Sequence, residues 1–339
     1  MITLTYHEVA SSGRSMLPPG ILVSPGQLAD QLDYMLRHHR PTKAAEVARS
    51  MASGELPENS FAVTFDDGFR GQHDVALDIL EARGIEGMFF VPTCIVEDRQ
   101  LPAVERQRLL QYCNGPYEDF YRRFAREIRE RYPDLPESAY ALTPANLEAS
   151  LDYYAEYHFY SPAERLYRKV RETMLPNEIF EAIVEAMFAD AFQDEEEIIE
   201  GHFLNWDQLR RVRDRGHHIG GHGHKHLLES NVDGAAAAAD HLHCMTLLRA
   251  NLGIEIRSYA YPYGIYRPET LAALADAGVE LAFTCRAGIG FESSSLLIDR
   301  HDCKAFPFES AADACTHSLA ELRTLKGEPK PCSGFAPAR

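Results

Sequence analysis

Two groups of side chains in this sequence have the types and spacing to do chemistry. The first is Thr64-Phe65-Asp66-Asp67-Gly68-Phe69, which follows the apolar run Phe61-Ala62-Val63. Side chains alternate faces along a strand, so adjacent carboxylates share a site only where the chain turns, and Gly68 permits a turn. One carboxylate can then bind a metal while the other, held close to the positive charge, stays ionised as a base. An Asp-Asp-Gly after a strand also occurs as a plain helix-capping turn. What tips the balance is the second group, about 150 residues later: His217-His218-Ile219-Gly220-Gly221-His222-Gly223-His224-Lys225-His226. His222 and His226 would meet one ion across a helical turn. His222 and His224 would share one face of an extended segment instead. Two imidazoles and a carboxylate leave a coordination position open for water, the layout of a hydrolytic zinc site, and the spacing alone does not say which aspartate is the ligand.

The elements that must position these groups alternate. Ile2 to Tyr6 reads as a strand ending at His7, and after a polar loop through Pro18-Pro19-Gly20 a helix is expected from Ser24 or Pro25 to His38. A strand from Phe61 to Phe65 delivers the aspartates. Gln72 to Arg83 has helical spacing closed by Gly84, and Gly87 to Val91 is an apolar run typical of a strand covered on both faces. From Thr93 to Phe203 the pattern turns helical, with segments such as 117–130, 144–157, 162–174 and 177–191. Tyr153, Tyr154, Tyr157 and Tyr160 are expected to form its small core, and Asp194 to Glu197 a solvated face. Alternation then resumes with a helix from Trp206 to Arg215, a strand from His218 to Gly221 and a helix from Asp233 to Leu252. Strand 256–261, helix 268–277, strand 280–285 and a last strand at 296–298 before Arg300-His301 complete the pattern.

Such alternation implies a mostly parallel sheet with its chemistry at the carboxyl ends of the strands. His7, Asp66-Asp67, His222, Tyr261 to Gly264 and Arg300-His301 all follow strands. The expected organisation is a (β/α) barrel over 1–95 and 203–306, a helical insertion over 96–202, and a C-terminal helix and tail over 307–339.

Composition excludes several partners. The 339 residues carry a formal charge of −17, which would repel nucleic acid, an anionic membrane surface or a strongly anionic polymer. No apolar run approaches the roughly 20 residues of a membrane span, and no basic, apolar leader precedes the first strand. The seven cysteines are scattered without a CxxC pair, as expected of reduced thiols in a cytoplasmic protein.

Taken in order, Thr64-Phe65-Asp66-Asp67-Gly68, His222-Gly223-His224-Lys225-His226 and Tyr261-Pro262-Tyr263-Gly264 resemble the motifs of the polysaccharide deacetylase superfamily, the NodB-homology or carbohydrate esterase 4 enzymes. Trp206 to Leu209 and Gly216 to His222 resemble the helix and strand before that family's histidine motif. The resemblance implies a distorted (β/α)7-type barrel and a divalent metal, zinc being the expected ion, held by Asp67, His222 and His226. It assigns Asp66 as the base and gives Tyr263 a backbone N–H that helps stabilise the oxyanion.

The sequence also departs from the family pattern. Gly223 replaces a loop-steadying Ser or Thr, a loss for which His224 could compensate. Ala260 stands where many members have the arginine that orients the base, and Arg300 is the expected substitute. The family's catalytic acid, a late histidine, corresponds loosely to His301, with His7 as its rival. The implied activity is metal-dependent hydrolysis of an N-acyl group, acetyl first, from a small amino sugar or glycan precursor. A C–N hydrolase acting on a non-sugar linear or cyclic amide and a non-catalytic glycan-binding protein are the alternatives. The insertion could act as a lid, a wall or a homo-oligomer contact.

Overall fold

Seven short strands, all parallel, form the framework of the computed structural model, which describes residues 1–11, 21–155, 160–291, 293–304 and 306. They are β1 (Ile2–Tyr6), β2 (Ser60–Phe65), β3 (Gly87–Val91), β4 (His218–Gly221), β5 (Ser258–Ala260), β6 (Leu281–Phe283) and β7 (His301–Asp302). Their order across the sheet is β7-β1-β2-β3-β4-β5-β6, and the two-residue strand Arg40–Pro41 pairs parallel with β2 as an eighth member off this path. The sheet curls into a distorted barrel because the segment entering β7 reaches both edges. Ile298 bridges to Phe283 on β6, the Arg300 amide donates to Arg286 O at 3.1 Å, and His301 then pairs with Leu4 on β1.

Strand alternation sorts the side chains into an inner and an outer set. On the outside, Leu28, Leu32 and Met35 of helix α1 (Pro25–His38) pack with Ile2, Leu4, Phe61, Val63 and Phe65. This helix starts where the sequence places it, because Ser24 and Gln27 form a reciprocal capping box and Pro25 occupies the first turn. On the inside, Ala62, Met88, Phe90, Leu281, Phe283 and Ile298 form a second core, floored by Ala44 and Val47 of helix α2 (Ala44–Met51). Sequence reading misses α2, whose eight residues offer too little periodic pattern.

Helix α3 (Leu77–Glu81) continues a π-helical stretch over Gln72–Ala76, and Gly84 closes it at φ +64°. Between β3 and β4 run α4 (Ala103–Cys113), α5 (Tyr117–Arg131), α6 (Pro162–Thr173), α7 (Asn177–Ala191) and α8 (Glu195–His202). Among the described residues this stretch contains no strand.

Its core is built by Phe120, Tyr121, Phe124, Tyr167, Ile183, Val184 and Met187 rather than by the expected tyrosines. Tyr153 and Tyr154 are half-buried and donate their hydroxyls to Glu172, while Tyr157 lies outside the described residues. The expected helix 144–157 ends at Glu148. The acidic run is more than a solvated face: Asp194 caps α8, Glu195 binds Arg106 and the Leu101 amide, and Glu196 binds Arg99. Phe69, directly after the paired aspartates, is buried in this helical core and bridges to Phe203.

Helices α9 (Trp206–Asp214), α10 (Gly234–Leu252) and α11 (Pro268–Asp276) complete the barrel's outer layer. The expected last strand at 296–298 is replaced by the single Ile298 bridge followed by β7. The C-terminal helix expected over 307–339 lies outside the described residues. No described helix is long and apolar enough to cross a membrane.

Gly220 shows how tightly the barrel interior is filled. A Cβ there would lie 2.5 Å from both the Phe90 ring and Ser258 Oγ. Gly220→Ala is therefore expected to destabilise the protein by about 1–3 kcal/mol, measured by denaturant unfolding, because the ring must leave its packed position.

Candidate active site

The turn that unites the two aspartates begins where β2 ends. The Asp66 amide still bonds to Tyr6 O at 3.0 Å, extending the ladder, and then Asp67 and Gly68 adopt φ values of +71° and +69°. The turn thus uses a left-handed aspartate as well as the glycine, and Asp tolerates that conformation better than most residues. Both carboxylates are buried.

Two side chains stitch this turn to the end of β1. Gln72 Nε2 donates to His7 O at 3.0 Å and Asp66 O at 2.6 Å. The buried Glu8 carboxylate accepts the amides of Val9 and Gly71.

His222 and His226 converge on Asp67. Their Nε2 atoms each lie 3.3 Å from Asp67 Oδ1, and the three groups are buried with ligand atoms within 4.8 Å of one another. The helical and extended alternatives for the histidines are both replaced by a loop: Gly223 at φ +75° and His226 at φ +52° fold the segment back on itself. His224 points elsewhere, with Nδ1 2.9 Å from Thr93 Oγ1 and Nε2 2.9 Å from Asp98.

The donor set fits a small divalent cation. Ligands about 2.0–2.2 Å from a tetrahedral centre stand about 3.4 Å apart, close to the 3.3 Å from Asp67 Oδ1 to each imidazole. His222 Nδ1 donates to Ala260 O at 2.7 Å, which leaves the Nε2 lone pair directed at the site. Burial pushes His226 down to about 4, so it is a neutral donor near pH 7. Burial pushes Asp67 up, but Arg108 and the two imidazoles outweigh it and hold the carboxyl well below its usual range.

Asp66 is clamped separately. Arg300 Nη1 and Nη2 donate to its two oxygens at 2.8 Å each, while Arg300 Nε donates to Thr284 O at 2.8 Å and Nη1 also reaches Thr64 Oγ1 at 3.2 Å. Burial raises the Asp66 pKa, and this guanidinium with His222 more than reverses the effect. Arg300 is itself fully buried, so the pair is a bidentate interaction with both charges withdrawn from water.

His301 is not beside Asp66. It follows Arg300 on a strand, so its side chain takes the opposite, outer face with its pairing partner Leu4, and its ring packs against Phe306 at 5.4 Å. His7 is the histidine in the site, with Nε2 3.9 Å from Asp67 Oδ2. Tyr263, at φ +57°, sets its ring against His226 at 4.8 Å.

Two residues of the helical stretch enter the site without any local signal in the sequence. Arg108 of α4 donates to Asp67 Oδ2 at 2.6 Å and pairs with the buried Glu105. Arg171 of α6 lies over the Tyr263 ring at 4.8 Å and pairs with Glu172. Their positions on amphipathic helices read as ordinary surface charge.

The histidine loop has supports that occupy the role of the absent hydroxyl. Asp240 of α10 accepts the amides of His224 at 2.8 Å and Lys225 at 3.1 Å. Its neighbour His241 sits in a buried chain. The Tyr259 hydroxyl accepts the Gly223 amide and contacts His241 Nδ1, His241 Nε2 meets Glu229 Oε1 at 2.7 Å, and Thr270 donates to Glu229 Oε2 at 2.8 Å. The loop is thereby held at Gly223 and again at Glu229.

A curled parallel barrel with an Asp-His-His set at the carboxyl ends of its strands defines the class: a (β/α) barrel protein with a site suited to metal-assisted hydrolysis. A family model described as polysaccharide deacetylase matches residues 182–282, which hold His222, His226 and Tyr263. Over that stretch the chain is similar to the polysaccharide deacetylases.

Similar solved structures include IcaB from Ammonifex degensii, 19% identical, covering 89% of this chain and 90% of that one at a TM-score of 0.53. Streptococcus pyogenes deacetylase PplD, solved in complex with acetate, is 15% identical, covering 88% of this chain and 90% of that one at a TM-score of 0.50. At these identities the likeness is one of fold. No curated protein matches the chain.

Two outcomes follow from the supports. Asp240→Ala is expected to weaken divalent metal retention about tenfold, read by competition with a chelator, since groups that orient a ligand loop typically contribute this much. Burial raises Glu8 from 4.5 to about 8. A carboxyl raised in the folded state contributes its stability below the unfolded pKa and loses it as pH climbs from about 4.5 to about 8. Glu8→Gln keeps an acceptor for the two amides, so it is expected to gain on the order of 2 kcal/mol over the parent at pH 8 and little at pH 4 in denaturant unfolding.

Proposed function

We propose that this chain is a divalent-metal-dependent deacetylase that hydrolyses the N-acyl group, acetyl first, of an amino sugar or glycan precursor. The observation that carries the reading is the division between the two aspartates. Asp67 faces His222 and His226 with the geometry of a ligand, while Asp66 is held by Arg300.

Asp67, His222 and His226 are the residues that would hold the ion, and zinc suits an O,N,N donor set with one open position. Such a cation supplies polarisation of the acyl carbonyl and acidification of a water to near-neutral pKa. Asp66 takes the proton from the attacking water at a carboxylate oxygen, and Arg300 fixes the direction of that carboxylate and stabilises its ionised form. The Tyr263 backbone N–H donates to the oxygen on which charge develops. As the C–N bond breaks, the proton taken up by Asp66 passes to the departing nitrogen, which His7, the site-facing histidine, hydrogen-bonds, so that the amine leaves neutral and the acyl group as its carboxylate. His301 has no part in the reaction, because it faces the outer side of the sheet.

Access supports a small substrate or a chain end. His7 and Arg108 retain only 18% and 16% side-chain exposure, and Arg108 reaches from α4 directly onto Asp67. A polymer lying across the strand ends would have to displace that helix.

Acetate release from a panel of N-acetyl amino sugars, with metal content of the freshly purified protein measured alongside, tests the reading. Asp66→Asn is expected to abolish turnover while retaining metal. Arg300→Ala should lower kcat about 100-fold with KM little changed, as for other losses of an aligned proton-transfer group. Protein without metal, or Arg300→Ala at parental rate while Asp66→Asn is inactive, would overturn the assignments.

A further inference from the structure

The two oxygens of Asp67 have different surroundings. Oδ1 lies 3.3 Å from Nε2 of His222 and of His226, whereas Oδ2 accepts from Arg108 Nη1 at 2.6 Å and has His7 Nε2 at 3.9 Å. The donor set places a cation among Oδ1 and the two imidazole nitrogens. Arg108 does not stand in for that cation, because it bonds the other oxygen.

A packed helix delivers Arg108 to this position. On α4 the next residues, Leu109 and Leu110, are buried in the core of the helical stretch with Ile183, Val184 and Met187 of α7. Three residues before Arg108, the buried Glu105 binds the same Nη1 through Oε1. Residues so spaced share a helix face, and here Glu105 and Asp67 hold one guanidinium nitrogen between them. For both oxygens of Asp67 to meet a cation, the carboxylate would have to give up its charge-assisted bond to Arg108 and leave the guanidinium with Glu105 as its remaining carboxylate.

The number of oxygens that a carboxylate offers decides which ion suits a site. A catalytic zinc ion takes few protein ligands and keeps one position for water or substrate. Larger, harder cations take more ligands, often from carboxylates bound through both oxygens, and manganese suits oxygen-rich octahedral sites. Asp67, tied at Oδ2 and set beside two imidazoles, matches the first pattern.

Resting on the metal-site part of the deacetylase reading, we propose that Arg108 is a positioning residue that restricts Asp67 to one ligating oxygen, so that the site selects a four-coordinate cation of the zinc type over manganese and other cations of higher coordination number. The choice of metal then lies with α4, outside the barrel elements that carry the ligands.

Affinities of the chelator-stripped, full-length protein for Zn2+ and for Mn2+, each measured by competition with a chromophoric chelator, test this without turnover. Arg108→Gln removes a charge that repels both dications alike, so a purely electrostatic or structural role would shift the two affinities together and leave their ratio as it was. The ratio of Zn2+ to Mn2+ affinity is expected to fall about tenfold in Arg108→Gln, the lower end of what groups that orient metal ligands contribute. Arg108→Lys, which keeps a cationic donor for Oδ2, should retain part of the preference. Cobalt-substituted protein gives a second reading: an intense four-coordinate absorption spectrum in the parent that weakens towards the five-coordinate form in Arg108→Gln. Thermal melts confirm that each variant is folded. An unchanged ratio or an unchanged cobalt spectrum in folded Arg108→Gln, or a parent spectrum already of higher coordination, would overturn the proposal and leave the deacetylase reading standing. A parent protein that binds neither ion would overturn the metal-dependent reading and this proposal with it.

Discussion

Two negative charges adjacent in the chain and withdrawn from water can persist only if each has a cation of its own. The site is built on that constraint. Asp66 is satisfied by Arg300, which arrives on the segment closing the barrel, and Asp67 by Arg108, which arrives from the helices above. Breaking either pair would leave a buried carboxylate uncompensated, a far larger penalty than any hydrogen bond nearby. The barrel's closure and the seating of the helical stretch are therefore both tied to the same two residues.

The pairing also gives the two carboxylates of one dipeptide different surroundings, which is what the proposed division of roles rests on. The left-handed turn at Asp67 and Gly68 rotates the second carboxylate towards the histidines while the first keeps the ladder position of a strand residue. Arg300 addresses both oxygens of Asp66, whereas Arg108 takes only one oxygen of Asp67 and leaves the other facing two imidazoles. Difference in partners, rather than in sequence, makes one group fit to accept a proton and the other to hold a cation.

Much of this is legible from the residues alone, and the limits have physical causes. The strands Ile2–Tyr6 and Gly87–Val91 declare themselves as apolar runs, and α1 through its Ser24-Pro25 start and apolar spacing. Arg300 is legible because a missing arginine after β5 implies a substitute at a neighbouring strand end. His301 lies with Leu4 and Phe306 rather than beside Asp66, because type and proximity in sequence do not reveal which face of a strand a residue takes. Arg108, Arg171 and Asp240 are silent: each sits on a helix where a charge normally faces water, and only tertiary packing shows that it faces the site. Short α2 is silent for want of length.

Phe69 lies immediately beyond the aspartate turn, yet its ring belongs to the core of the helical stretch. The turn thus joins two packed cores, with Asp66 and Asp67 on one side of Gly68 and the anchoring Phe69 ring on the other. Arg300 and Asp66 lie 234 residues apart in sequence, and because closure entropy grows only slowly with loop length, the long helical stretch between them adds little to the cost of bringing them together. Any displacement of the helices would be transmitted through Phe69 to the orientation of Asp67. The seating of that layer and the orientation of Asp67 are consequently joined through a single buried ring.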